Sequence, residues 1–155
     1  QALLASSVIN LFQATIEKVV ALAVLMPIVA SMGGIAGTQS LTILIRAMAM
    51  GQINDRNQFW VVGRESLVGA LNGMLWALVI AATAAIWFND LTLGFIIACA
   101  MLINLVTAGC AGAGLPLALK KLQVDPALAG GVMVTTVTDV VGFLAFLGLA
   151  TLFYA

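Results

Sequence analysis

Histidine is absent from this 155-residue chain, and charge is confined to six acidic and six basic residues with a net of zero. Without histidine, neither a His-based catalytic triad nor a His-ligated metal site can be assembled within it. The balanced charge leaves no basic footprint for nucleic acid. Cysteine occurs only at Cys99 and Cys110, in one apolar stretch. On a helix these two would stand about 16 Å apart, too far to bridge each other, so they say nothing of a redox compartment. A basic first region and an initial methionine are also lacking, so no secretory signal is apparent. The expectation is that the chain begins inside a longer protein, partway through a first span.

What the chain has instead is hydrophobicity. Apolar residues make up 63% and charged residues 8%, with a mean hydropathy of +1.18, whereas charged residues reach about 25% in soluble domains. This predicts an all-α, polytopic membrane helical bundle forming one compact domain. Five spans are expected, over about 2–16, 19–50, 59–88, 91–119 and 126–154. The first is short, carries Ser6, Ser7, Asn10 and Gln13, and ends at Glu17-Lys18. The second is punctuated by Pro27 and by Gly33-Gly34-Ile35-Ala36-Gly37, breaks that are tolerated in a membrane where neighbouring helices or a cavity satisfy the backbone. Phe59-Trp60 and Trp87-Phe88 mark the third span like aromatic belts, Arg64 and Glu65 fall where they can reach headgroups, and Gly69 to Gly73 is a GxxxG pattern suited to close helix contact. The fourth loosens into Gly109 to Gly114 and Pro116, and a turn at 123–126 follows, with Asp125 as cap and Pro126 at the first helical position. Arg46, Arg56, Arg64, Lys120 and Lys121 fall on one side of the membrane and Lys18 on the other. The positive-inside rule then gives a cytoplasmic N-terminus and an outer C-terminus. Gly34, Ala36 and Gly37 are echoed 75 residues later by Gly109, Ala111 and Gly112, as a parallel repeat or chance in a Gly/Ala-rich chain would give.

Asp139 is the exception inside this pattern. From Ala127 to Ala155 it is the sole charge, and 29 helical residues span roughly 43 Å against a bilayer core of about 30 Å. A carboxylate near mid-membrane points to a polar pathway, a bound cation or a protein partner. Gly131, Thr135, Thr138-Asp139 and Gly142 share one stripe of the helix. Thr135 and Thr136, one turn earlier, can donate to the carboxylate or accept from water. The structural alternative pairs Asp139 with Asn72, Asn104 or Gln39.

Glu17, Asp55, Glu65, Asp90 and Asp125 lie at span edges as solvated interface charges, leaving one deep acid per chain. A divalent ion needs about two compensating charges, so a two-fold axis beside the stripe would supply an Asp139 pair and make the protein a homodimer. Mg²⁺ dehydrates reluctantly and suits a wide site where carboxylates, hydroxyls and carbonyls meet its water shell.

Four stretches together carry a family resemblance: Met26-Pro27-Ile28-Val29-Ala30-Ser31-Met32-Gly33-Gly34-Ile35-Ala36-Gly37-Thr38-Gln39-Ser40, Gly112 to Leu117, Asp125-Pro126-Ala127-Leu128, and Thr135-Thr136-Val137-Thr138-Asp139-Val140-Val141-Gly142-Phe143. In this order they resemble the transmembrane domain of the MgtE family of magnesium channels, over nearly the whole chain. The resemblance implies a homodimer of five-span protomers in the cell (inner) membrane, with a two-fold-axis pore lined mainly by the second and fifth helices. It implies Mg²⁺ held at Asp139, with Thr135 and Thr136 beside it. The pore-lining candidates are then Gly33, Gly34, Ile35 and Gly37 on one helix and Gly131, Thr138 and Gly142 on the other. It also implies cytoplasmic N and CBS domains upstream that sense Mg²⁺ and gate the pore. The family usually has Asn at the Ile35 position and commonly Glu at the Gln13 position, so this chain's ion binding and selectivity are open at those two places.

The leading expectation is a pore passing hydrated Mg²⁺ down its electrochemical gradient. The alternatives are a proton- or sodium-coupled divalent-cation carrier with Asp139 as coupling acid, and a structural membrane subunit. An enzyme is disfavoured, because a deep carboxylate dyad, histidine and a metal cage are all missing.

Overall fold

A computed structural model describes residues 2–11, 21–51, 56–89 and 91–154. Among these residues five helices follow in order: α1 (Ala2–Leu11), α2 (Ala21–Ala49), α3 (Gln58–Phe88), α4 (Leu91–Lys121) and α5 (Pro126–Tyr154). No strand occurs among the described residues. Four segments are long and apolar enough to cross a membrane, Val24–Ala49, Gln58–Phe88, Leu91–Lys121 and Ala129–Phe153. They match the second to fifth expected spans. The end of the first expected span, with Gln13, Glu17 and Lys18, lies outside the described residues, as do Asp55 and Asp90.

The connections follow from local chemistry. Asn89 takes the left-handed conformation at φ 52° and its N–H donates to the Ala85 carbonyl, ending α3. At the end of α4, Gln123 is left-handed at φ 61°. There the Val124 N–H reaches the Leu119 carbonyl at 2.9 Å and the Gln123 N–H reaches Lys120 at 3.1 Å, the paired bonds of a Schellman cap. Pro126 then opens α5, where its missing N–H is harmless, and Ala129 donates to the Asp125 carbonyl at 3.3 Å.

One expectation is corrected. The glycine runs of α2 and α4 do not break those helices, which stay continuous through Pro27, Gly33 to Gly37, Gly109 to Gly114 and Pro116. The glycines serve approach instead of interruption. A Cβ on Gly69 would collide with the Leu105 carbonyl, and one on Gly109 with the Glu65 carbonyl. The α3 and α4 backbones therefore meet directly, as the GxxxG pattern predicted. Gly112 does the same for α2, where a Cβ would stand 2.7 Å from the Gly37 carbonyl.

These contacts fix the directions of the helices. Gly69 meets Leu105 while Gly94 meets Ala81, so α3 and α4 are antiparallel. Gly33 meets Asn104, Gly37 meets Ala108 and Ser40 meets Gly112, so α2 and α4 run parallel, side by side. Gly37 meets Val134 and Gly130 meets Leu41, so α2 and α5 are antiparallel. The α4 helix is the centre of the bundle, packing on α2, α3 and α5. Its Leu93, Ile96, Ile97, Met101 and Leu105 form the core with Leu25 and Val29 of α2 and Phe146 and Leu147 of α5. One end of the bundle consequently gathers exposed Arg46, Arg64, Lys120 and Lys121. Arg64 lies over the Trp60 ring at 5.7 Å, an arrangement that holds a guanidinium near an interface.

Candidate functional site

The seam between α2 and α5 carries polar residues at the surface of two long apolar helices. On α2 the exposed residues Ser31, Ile35, Thr38 and Thr42 recur at spacings of four, three and four, with Gln39 beside them. They therefore share one face. Half-buried Gly34 borders that face, and a Cβ there would touch the Thr135 methyl of α5 at 4.0 Å. Further along the same antiparallel run, Gly142 of α5 meets Val29 of α2. Asp139 falls between these two contacts and is half-buried, with Gly131, Thr135 and Thr136 exposed to a similar degree. A carboxylate, two threonines and an α2 face bearing Ser and Thr thus lie together near the middle of helices long enough to span a membrane.

The threonine hydroxyls are oriented by their own helix. Thr135 Oγ1 donates to the Gly131 carbonyl at 2.9 Å, with Val132 at 3.1 Å, and Thr136 Oγ1 donates to the Val132 carbonyl at 2.7 Å. Their protons are directed at backbone, not at the Asp139 carboxylate, which corrects one of the two expected arrangements. A hydroxyl whose hydrogen is committed this way presents lone pairs outward. It can accept from water, and it can face the hydration shell of a cation.

The other expected lining residues are placed inside the protomer. Gly33, Gly37, Thr138 and Gly142 are buried among α2, α4 and α5. Thr138 Oγ1 donates to the Thr135 carbonyl at 3.1 Å, and a Cβ on Gly37 would stand 2.5 Å from Val134. Their role in the protomer is helix approach. Gly34, Ile35, Gly131, Thr135, Thr136 and Asp139 are the candidates that reach the surface, Ile35 being 57% exposed.

Two polar residues were misjudged from sequence. Glu65, expected at the headgroups, is buried, and its Oε2 accepts from the buried Ser40 hydroxyl at 2.9 Å. Gly109 and Gly112 create the space, because α4 comes so near to α3 and α2 that Glu65 lies in the three-helix crossing. The chain therefore carries a second sequestered acid besides Asp139. Small residues on α4 opposite the first turns of α3 are the signal that would have found it. Asn104, considered as an Asp139 partner, instead donates from Nδ2 to the Val29 carbonyl at 3.0 Å. Asn72 and Gln39 are exposed on α3 and α2. No cluster of three or more His, Cys, Asp or Glu able to hold a metal occurs among the described residues.

Comparison with known proteins gives a consistent answer. Residues 26–149 match the family model described as MgtE, divalent cation transporter. The chain is 35% identical over 151 residues to the magnesium transporter MgtE of Bacillus subtilis, covering 97% of this chain and 34% of that protein. It is 33% identical to the magnesium transporter MgtE of Enterococcus faecalis, over 96% of the chain and 33% of that protein. For the protein of the same name from Thermus thermophilus the identity is 33%, over 95% of the chain and 32% of that protein. The chain thus spans about a third of the length of the curated relatives it matches.

Proposed function

We propose that this chain, which belongs to the MgtE family of divalent cation transporters, is the membrane pore domain of a magnesium channel. Hydrated Mg²⁺ passes down its electrochemical gradient between the α2–α5 faces of two copies related by a two-fold axis. The observation that supports this most directly is the half-buried Asp139 on a face that also carries Ser31, Thr38, Thr42, Thr135 and Thr136. Lipid is a poor neighbour for such a surface, whereas water and a second copy suit it.

The chemistry follows from the charge count. One Asp139 per chain supplies half of what a divalent ion needs, and the two-fold partner supplies the other half. Mg²⁺ keeps several waters, and those waters are hydrogen-bond donors. Asp139 carboxylates accept from them with charge, and Thr135 and Thr136, with their protons turned to helix carbonyls, accept without it. No direct inner-shell ligation is required, so the ion can leave as readily as it enters. The basic end of the bundle faces the cytoplasm by the positive-inside rule, which gives five spans with the N-terminus inside and the C-terminus outside the cell membrane. The remaining two-thirds of the longer relatives' length is room for cytoplasmic regulatory domains.

A second reading is supported by Glu65. It is an acid held inside the membrane-spanning bundle and bonded to Ser40, a place where a proton- or sodium-coupled carrier would keep a functional carboxyl. Reconstitution in vesicles separates the two. The channel reading expects Mg²⁺ uptake that persists when proton and sodium gradients are collapsed and that disappears in Asp139→Asn with fold and dimer intact. Uptake that requires either gradient identifies the carrier, and normal uptake by Asp139→Asn rules out the ion site.

A further inference from the structure

We infer that Asn104 is a positioning residue that sets the register of α2 against α5, and through it the place of Asp139. Its side chain is 1% exposed at the centre of α4, the helix that touches both others. The amide sits in a slot made by two glycines on different helices. A Cβ on Gly33 of α2 would overlap Nδ2, and one on Gly142 of α5 would stand 2.8 Å from Nδ2 and 3.1 Å from Cγ. Nδ2 donates to the Val29 carbonyl of α2 at 3.0 Å. Gly142 is one turn beyond Asp139 on α5. One planar group therefore holds the α2 backbone by a hydrogen bond and bears on the α5 backbone by contact, next to the acid.

The second observation concerns the other end of the amide. Asn104 Oδ1 is buried without a hydrogen-bond partner among the described residues. A buried unpaired acceptor is unfavourable. A side chain chosen for packing alone would be apolar and would carry no such cost. What an apolar side chain lacks is direction. The Nδ2–Val29 bond fixes how far α2 slides and turns relative to α4, a use for which single buried polar groups in helix bundles are well attested.

The inference rests on the proposed pore only for its functional consequence, so its test reads geometry first. In a protein carrying this chain, with Cys99→Ala and Cys110→Ser, the pair Gly34→Cys and Thr135→Cys reports the α2–α5 register by its rate of disulfide formation. Asn104→Leu and the smaller Asn104→Ala are both expected to slow that rate by about three- to fifteenfold, the equilibrium equivalent of one interhelical hydrogen bond in a membrane. An unchanged rate overturns the inference. Should Asn104→Leu fail to fold, Gly33→Ala, whose Cβ displaces the amide, is expected to slow the rate as well. Adding Asn104→Ala to it removes the clash, and is expected to restore stability but not the rate; a restored rate overturns the inference. Mg²⁺ uptake is measured alongside, with Asp139→Asn as control. Uptake that survives Asp139→Asn defeats the pore reading and leaves the crosslinking result to decide on Asn104. Loss in Asp139→Asn with wild-type uptake and wild-type register in Asn104→Leu defeats only the role of Asn104.

Discussion

The outer face of α3 and the α2–α5 seam are both open to the surroundings of the protomer, yet they are chemically unlike. The first presents Leu67, Leu71, Met74, Leu75, Leu78 and Ile86, interrupted by Asn72. The second presents Ser31, Thr38, Gln39, Thr42, Thr135, Thr136 and Asp139. In a membrane, exposure alone does not tell lipid from water, and side-chain chemistry has to. Hydrocarbon accepts the α3 face as it stands. The seam needs water, an ion or another copy of the chain.

The sharpest way to break this contrast is to neutralise the seam's one acid. Asp139→Asn keeps shape and removes charge, and is expected to bring Mg²⁺ uptake down to the baseline of protein-free vesicles. A charge moved to the other face should act on folding instead. Leu78→Asp, near the middle of α3, is expected to disfavour membrane insertion by about 3–4 kcal/mol, read as lost insertion in a glycosylation-reporter assay. Thr38→Asp on the seam is expected to insert normally. Equal insertion defects in the two would erase the distinction between the faces.

A smaller effect is expected at the hidden acid. Glu65→Leu leaves the buried Ser40 hydroxyl without its acceptor and should destabilise the protein by about 1–3 kcal/mol, seen as a lowered unfolding temperature. Glu65→Gln retains a carbonyl for Ser40 and should cost less. If Mg²⁺ uptake follows stability across this pair, Glu65 belongs to the scaffold. Uptake lost in a stable Glu65→Gln favours the carrier.

The smallest change sharpens the seam itself. Ile35 is 57% exposed on the α2 face, where the family resemblance expects asparagine. Ile35→Asn is expected to alter the ratio of Mg²⁺ to Mn²⁺ or Ca²⁺ flux while stability stays unchanged, since the position has few internal contacts to lose. Competition uptake measures that ratio.

The helices and their ends were legible in the sequence because hydrophobic runs, Asn89 and the turn before Pro126 act locally. Asp139 draws notice for the same reason: it is the sole charge in a long apolar run. Glu65 was not, because its burial is decided by Gly109 and Gly112, which lie more than forty residues away and matter only once α4 is laid against α3 and α2. The glycines of α2 misled in the same manner. Alone they read as weak points of a helix; against Asn104, Ala108 and Val134 they are places where other helices come close. Gly33, Gly37 and Gly142 consequently face inward, and the surface residues between them carry the seam.

The most direct measurement is an experimental density map of the protein in lipid with Mg²⁺. Two copies are expected to meet along α2 and α5, with ion density on the two-fold axis between the Asp139 carboxylates. Each oxygen should stand about 4 Å or more from the ion, leaving room for bound water at about 2.1 Å from the metal. Copies joined through the α3 face, with both Asp139 carboxylates remote from any ion, would contradict it.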